Sequence, residues 1–218
     1  LDWSYYDHPP MVAWLIGAST AVLGDTAFAV RFPFVLLALV GGALVWSICL
    51  RLFPGQNRIA ALAMCAFHVL PIFSLAAVFA APDMPMIVCW LGLTLMGLKA
   101  FETGRLVDWL VAGLVAGLGL LSKYTMVLSV LGLFCWLATS IRGRQLLLSK
   151  RPWLGAGLAG LIFSPVLMGE NRPREPGKSL FGLKSINAIH HFIDWCNARN
   201  KRFEPPVHHA RQAVHHRQ

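Results

Sequence analysis

Residues 33–50 read "PFVLLALVGGALVWSICL" and contain no charged side chain. A helix that crosses a membrane needs about 20 mostly apolar residues, so this stretch predicts a transmembrane helix. Further ranges share this apolar character: 59–81, 84–101, 106–122, 124–141 and 152–169. We therefore predict an all-α fold, a polytopic transmembrane bundle with about six spans. The apolar range 11–24 is shorter, and we expect it to form a short helix along the membrane interface.

The composition supports a membrane protein and argues against a nucleic-acid-binding one. Hydrophobic residues make up 56% of the 218 residues and charged residues only 13%, whereas a soluble domain carries about a quarter charged residues. The net charge of +9 is partly a property of the tail, because residues 170–218 hold nine Lys/Arg, four Asp/Glu and six of the eight histidines. We predict a membrane-embedded domain over 1–169 and no nucleic-acid partner. We expect 170–218 to be disordered or out of frame; the alternative is a tail that binds a metal or an anionic partner.

The charges between the apolar ranges predict an orientation. Cytoplasmic loops are enriched in Lys and Arg. The loops on one predicted side carry eight cations, and the opposite side carries only Arg31 and Lys123. The eight are Arg51, Arg58, Lys99, Arg105, Arg142, Arg144, Lys150 and Arg151. We therefore expect these loops in the cytoplasm, which leaves Asp7, His8, Asp83 and Lys123 on the outer face of a cytoplasmic membrane.

The first candidate site is "YYDHPP", residues 5–10, directly before an apolar stretch. Pro9 and Pro10 restrict the backbone and would hold the side chains of Asp7 and His8 in a fixed loop. The alternative is a rigid re-entry turn in which the two tyrosines anchor the chain at the interface.

Two further candidates stand at the ends of apolar ranges. Asp83 lies in "AAPDMP", which predicts a short turn; it is either a solvated turn residue or a functional acid, because ionisable groups near membrane depth are costly. Lys123 lies in "LLSKYTM", and is either a plain loop lysine or a cation that faces a phosphate. His68 stands alone inside a predicted span, and we expect a hydrogen-bonded interior histidine there.

Together these segments resemble a known family. The order and spacing of "LDWSYYDHPPMVAWLIGASTAVLG", "RFPFVLLALVGGALVW", "AAPDMPMIVCWLGL" and "GLGLLSKYTMVLSVLGLFCWL" are similar to the bacterial branch of the protein O-mannosyltransferase and aminoarabinose-transferase-like family, over roughly residues 1–168. These are integral membrane glycosyltransferases of the GT-C type. The resemblance implies a polyprenyl-phosphate-linked sugar donor, a glycan, lipid or protein acceptor, and contact with membrane lipids.

The resemblance also implies roles for individual residues. Asp7 and His8 hold an acidic and a basic position of the family's outer loop, Asp83 its acid at the start of a later span, and Lys123 its helix-joining lysine. It implies that Asp7, His8 and Asp83 are catalytic and that His8 and Lys123 bind the donor phosphate, and it leaves open whether Asp83 orients a cation or binds a divalent metal. The family's principal acidic pair lies upstream of "YYDHPP", so we expect this chain to be an inactive fragment. The rival functions are a membrane transporter and a non-catalytic membrane subunit.

Overall fold

The computed structural model describes residues 10–170, and every secondary-structure element within that range is a helix. In chain order the helices are α1 (Met11–Leu23), α2 (Ala27–Leu52), α3 (Asn57–Val69), α4 (Pro71–Val78), α5 (Asp83–Thr103), α6 (Leu106–Leu120), α7 (Met126–Thr139), α8 (Ile141–Leu147) and α9 (Lys150–Glu170). The all-α prediction is confirmed for this part of the chain. The predicted tail lies outside the described residues, apart from its first residue, at the end of α9.

Two of these helices are long and apolar enough to cross a membrane, namely α2 with 26 residues and α5 with 21. The pair α3 and α4 would make a third span that is bent by 56° at its break. Helices α1, α6 and α7 are apolar but have only 13, 15 and 14 residues. The described helices thus support two or three spans, and the number six stays a prediction, as does the interfacial position of α1.

Local sequence explains where the long helices begin and end. The hydroxyl of Thr26 accepts a hydrogen bond from the backbone N–H of Ala29 at 3.1 Å and so caps the N-terminus of α2. Gly104 follows α5 with a φ of +64°, a left-handed conformation that glycine adopts without strain, and it lets the chain reverse into α6.

The centre of the fold is α5, which packs between α2 and α6. On one side it forms a cluster with α1, α2 and α3 that includes Ile16, Phe34, Phe67, Met84 and Val88. On the other side it forms a cluster with α6, α7 and α9 that includes Met86, Cys89, Ala116, Met126 and Ala159. These two clusters fix the position of α5 and therefore of its first residue, Asp83.

Small residues bring α6 and α9 into close contact. A Cβ atom on Gly113 of α6 would overlap the carbonyl oxygen of Gly155 on α9, and a Cβ on Gly155 would overlap the carbonyl oxygen of Trp109. Glycine at both positions allows the two backbones to approach, as is common where helices pack in lipid. The contact holds α6, and with it the loop that follows α6, in a fixed position.

The range 59–81 forms two helices joined at a bend of 56°, because Pro71 cannot continue α3 and instead begins α4. Two local predictions are wrong. Asp83 is not a turn residue but the first residue of α5. His68 is not an interior histidine: it is exposed, lies against Gly42 of α2, and makes no hydrogen bond with any described residue.

Candidate active site

The structure brings two of the sequence-predicted site residues together. The Nζ atom of Lys123 lies 2.6 Å from Oδ1 of Asp83, a distance at which the ammonium donates a hydrogen bond to the carboxylate. The side chains are 33% and 41% exposed, so the pair is open on one side. An ammonium carries three donors, and the contact with Asp83 leaves others for a further partner.

Asp83 is held by the start of α5. Pro82 occupies the N-cap position, where its fixed φ suits the entry into the helix, and Asp83 is the first helical residue. The free N–H groups and the macrodipole at a helix N-terminus favour a negative charge. The carboxylate of Asp83 therefore sits at a position that stabilises it without a metal ion.

Lys123 is held by the loop between α6 and α7. Its backbone N–H donates to the carbonyl of Gly119 at 3.1 Å, and its own carbonyl accepts from the N–H of Met126 at 3.1 Å. Met126 begins α7 and is completely buried. The backbone of Lys123 is thus fixed on both sides, and its side chain is held at its end by Asp83.

Ser122 joins the two halves of this site, and the sequence analysis missed it. Its Oγ donates a hydrogen bond to the carbonyl of Pro82 at 2.6 Å, and its side chain is completely buried. Pro82–Ser122 and Asp83–Lys123 are both separated by 40 positions in the chain. The available signal was a small polar residue directly before the lysine, at the end of an apolar run.

The beginning of α1 lies against the same loop. The backbone N–H of Met11 donates to the carbonyl of Leu121 at 3.0 Å, two residues before Lys123. Asp7 and His8 lie outside the described residues, so the structure does not test their predicted roles. The structure does establish that Met11, which directly follows "YYDHPP", contacts the loop that carries Lys123.

Polar groups also gather at the opposite end of α5. Glu102 forms an ion pair with Arg51 of α2, and Lys99 forms one with Asp108 of α6 at 3.1 Å. A helix rises 1.5 Å per residue, so the 21 residues of α5 span about 30 Å, the thickness of a bilayer's hydrocarbon core. The distance between the pair Asp83–Lys123 and the ion pairs of Glu102 and Lys99 is therefore close to the thickness of the hydrocarbon core of a bilayer.

The described residues around Asp83 do not form a divalent-metal site. No group of three or more His, Cys, Asp and Glu side chains suited to a metal occurs within residues 10–170. One oxygen of the Asp83 carboxylate, Oδ1, accepts a hydrogen bond from the Lys123 ammonium. A metal at Asp83 remains a prediction that depends on residues beyond this range.

Apolar helices that reach the length of a bilayer, with a charged pair at one end, define a helical membrane protein. The chain belongs to the dolichyl-phosphate-mannose-protein mannosyltransferase family, whose family model matches residues 7–168. The matched range contains both Asp83 and Lys123, together with Asp7 and His8.

Several relatives share one description, undecaprenyl phosphate-alpha-4-amino-4-deoxy-L-arabinose arabinosyl transferase. The one from Pseudomonas aeruginosa (strain UCBPP-PA14) is 27% identical over 168 residues, which cover 72% of this chain and 28% of the relative. The one from Erwinia tasmaniensis is 26% identical over 68% of this chain and 28% of the relative. The one from Pectobacterium atrosepticum is 30% identical over 135 residues, which cover 60% of this chain and 24% of the relative. The chain thus spans about a quarter of the length of these relatives, and no solved structure matches it.

Proposed function

We propose that this protein transfers a sugar from a polyprenyl-phosphate-linked donor to an acceptor hydroxyl. The family and the names of the relatives support this chemistry, since the relatives are described as transferases of a sugar carried on undecaprenyl phosphate. The observation that carries the proposal for this chain is the Lys123 ammonium held by Asp83 at the N-terminal end of α5. The acceptor belongs to a glycan, a lipid or a protein.

The reaction makes a clear demand on the site. The bond between the sugar's anomeric carbon and the phosphate oxygen breaks, and its electron pair stays on the phosphate. The acceptor oxygen bonds to the anomeric carbon and loses its proton to a general base. The group that needs stabilisation is the departing polyprenyl phosphate, whose negative charge increases in the transition state.

Lys123 is the described residue best suited to that task. Its ammonium is a compact cation with donors to spare beside Asp83, and it is held at the end of apolar helices, where water screens charges poorly. In this account Asp83 does not touch the sugar; it fixes the direction of the ammonium. Ser122 acts one step further away, because its hydrogen bond to Pro82 holds the loop of Lys123 against the start of α5.

Asp7 and His8 complete the proposal. His8 is three positions before Met11 in the sequence. Met11 is bonded to the loop that carries Lys123. We assign His8 to the donor phosphate beside Lys123 and Asp7 to the acidic position before it.

The proposed site faces outward from the cytoplasmic membrane, in a multi-pass protein with six spans. The support is the distribution of charge along the two ends of α5. Four cations are bonded at its C-terminal end, where cytoplasmic loops would be expected: Arg51, Lys99, Arg142 and Arg151. The pair Asp83–Lys123 marks the other end.

Donor dependence tests the function. Membranes from cells that express the complete gene product would be supplied with a radiolabelled polyprenyl-phosphate sugar or with the corresponding nucleotide sugar, after depletion of endogenous lipid carrier. We expect transfer to acceptor from the lipid-linked sugar alone. Transfer directly from the nucleotide sugar would overturn the proposal. Absence of transfer from either donor would instead favour the non-catalytic subunit.

A further inference from the structure

The C-terminal end of α5 is a meeting point for cations from three other helices. Arg51 of α2 pairs with Glu102. Arg142 of α8 donates through Nη2 to the carbonyl of Glu102 at 2.5 Å, and Arg151 of α9 donates through Nη1 to the carbonyl of Gly104 at 2.5 Å. We call this region the basic end of α5; it comprises Arg51, Lys99, Glu102, Arg105, Asp108, Arg142, Arg144, Lys150 and Arg151.

The charges of the basic end of α5 do not balance. It contains seven cations and two carboxylates, those of Glu102 and Asp108, which leaves five positive charges in excess. Like charges this close repel one another, and the repulsion is stronger beside apolar helices than in bulk water. The excess positive charge therefore favours anions at this surface.

Three of these cations form no ion pair within residues 10–170, although Arg105 acts electrostatically on the carboxylate of Asp108, which Lys99 already binds. The side chains of Arg105, Arg144 and Lys150 are exposed, and none forms an ion pair or a side-chain hydrogen bond with a described residue. Each lies within two positions of a residue bonded at the turn between α5 and α6, namely Gly104, Arg142 or Arg151. All three are therefore close in sequence to residues that are bonded at this turn.

Aromatic side chains of the kind found at the level of lipid headgroups lie near this end of α5. Trp153 is 59% exposed, and its indole N–H donates a hydrogen bond to the carbonyl of Leu147 at 2.8 Å. The guanidinium of Arg142 lies over the ring of Phe101, 5.3 Å from its centroid. Exposed tryptophans with a satisfied N–H are typical of the zone between hydrocarbon and water.

We propose that Arg105, Arg144 and Lys150 form a binding surface for the phosphodiester headgroups of anionic phospholipids. The guanidinium groups match the phosphate oxygens in geometry, and Lys150 adds a point charge. The surface meets membrane lipid because apolar helices surround it, so a lipid supplies the phosphate rather than a soluble anion. The proposal is independent of the sugar-transfer chemistry, since it uses the opposite end of α5.

Lipid retention tests the proposal. The full chain would be purified from equimolar phosphatidylglycerol and phosphatidylcholine with the same acyl chains, and the bound lipids would be counted by native mass spectrometry. We expect the wild type to retain phosphatidylglycerol preferentially. A cation near a membrane surface contributes about fivefold to the affinity for anionic lipid, so the variant Arg105→Gln/Arg144→Gln/Lys150→Gln should lose about 10² of this preference.

Two controls make the result specific. Arg58→Gln removes the same charge from α3, which has no described hydrogen bond to the turn, and should change the preference by less than about fivefold. Arg105→Lys/Arg144→Lys keeps both charges and should keep most of the preference. Arg142 and Arg151, which join the helices, stay unchanged in every variant.

Three results would overturn the proposal. The first is equal retention of the two lipids by the wild type, which requires no variant to fold. The second is an unchanged preference in the triple variant. The third is displacement of the lipid by inorganic phosphate but not by chloride at the same ionic strength, which would assign the surface to a soluble anion.

Discussion

Lys123 donates a hydrogen bond to Asp83 across 40 positions of the chain, and both side chains remain partly exposed. Here the ammonium is held in direction yet keeps donors available. This combination of a fixed cation and an open side is what a phosphate-binding position at a membrane surface requires.

The substitution Asp83→Asn should abolish most sugar transfer while the protein remains in the membrane. Losing the charge releases the Lys123 ammonium, and removal of a well-placed electrostatic group typically lowers a rate by about 10²–10³. The measurement is transfer from a radiolabelled polyprenyl-phosphate sugar, with the amount of inserted protein determined in parallel. Asp25→Asn is the matched control, because Asp25 is an exposed acid between α1 and α2. Near-normal transfer by the Asp83 variant would mean that this acid only begins a helix.

The substitution Ser122→Ala should weaken the connection between the loop of Lys123 and α5. It removes the hydrogen bond to Pro82, at a cost of about 1–3 kcal/mol in unfolding free energy if the carbonyl stays unsatisfied. We expect a smaller loss of transfer than for Asp83→Asn, with a raised KM for the donor. Ser164→Ala is the control, since the Ser164 hydroxyl bonds only within its own helix. Equal behaviour of the two serine variants would remove Ser122 from the site.

The substitution Gly155→Ala should separate α6 from α9. The new Cβ would overlap the carbonyl oxygen of Trp109, and backbone atoms cannot move aside as a side chain can. Overpacking of this kind costs about 1–3 kcal/mol. Gly157→Ala, two positions along α9, meets no atom within 4 Å and should leave the melting temperature in detergent unchanged or higher. Comparable melting temperatures for the two variants would contradict the close packing of these helices.

The orientation can be measured with an impermeant thiol reagent on intact cells, in a chain whose cysteines 49, 65, 89, 135 and 196 have been replaced. Cysteines at Gln56 and Gln145 should be shielded and one at Asp25 labelled. These positions are exposed, whereas a side chain at Gly143 would overlap the backbone of Leu137, and Gly55 has a positive φ of 78°. The reverse labelling pattern would place Lys123 in the cytoplasm.

The sequence indicated Asp83 and Lys123 as candidate site residues but did not indicate that they are in contact. Asp83 and Lys123 were visible because each interrupts an apolar region, where a charge is costly. Their contact was not visible, because it depends on how α5 packs against α6 and α7 through buried residues such as Met86 and Met126. Nothing in the spacing of an acid and a lysine 40 positions apart indicates that they meet.

The presence of helices was likewise easier to predict than their geometry. The apolar ranges gave helices throughout the described residues, because their composition is independent of detailed packing. The break at Pro71 depended on whether the proline kinks a helix or begins a new one, and the position of His68 depended on which face of α3 meets α2. Both are decided by tertiary contacts that hydropathy does not contain.

The most direct test of the central claim is a double-mutant cycle on Asp83 and Lys123. Initial rates of transfer from the polyprenyl-phosphate sugar would be measured for Asp83→Asn, Lys123→Gln and the double variant, at equal amounts of inserted protein. If Asp83 acts through Lys123, each single change lowers the rate by about 10²–10³, and the double variant is no slower than the slower single variant. A loss in the double variant equal to the product of the two single losses would contradict the account, because the residues would then act independently.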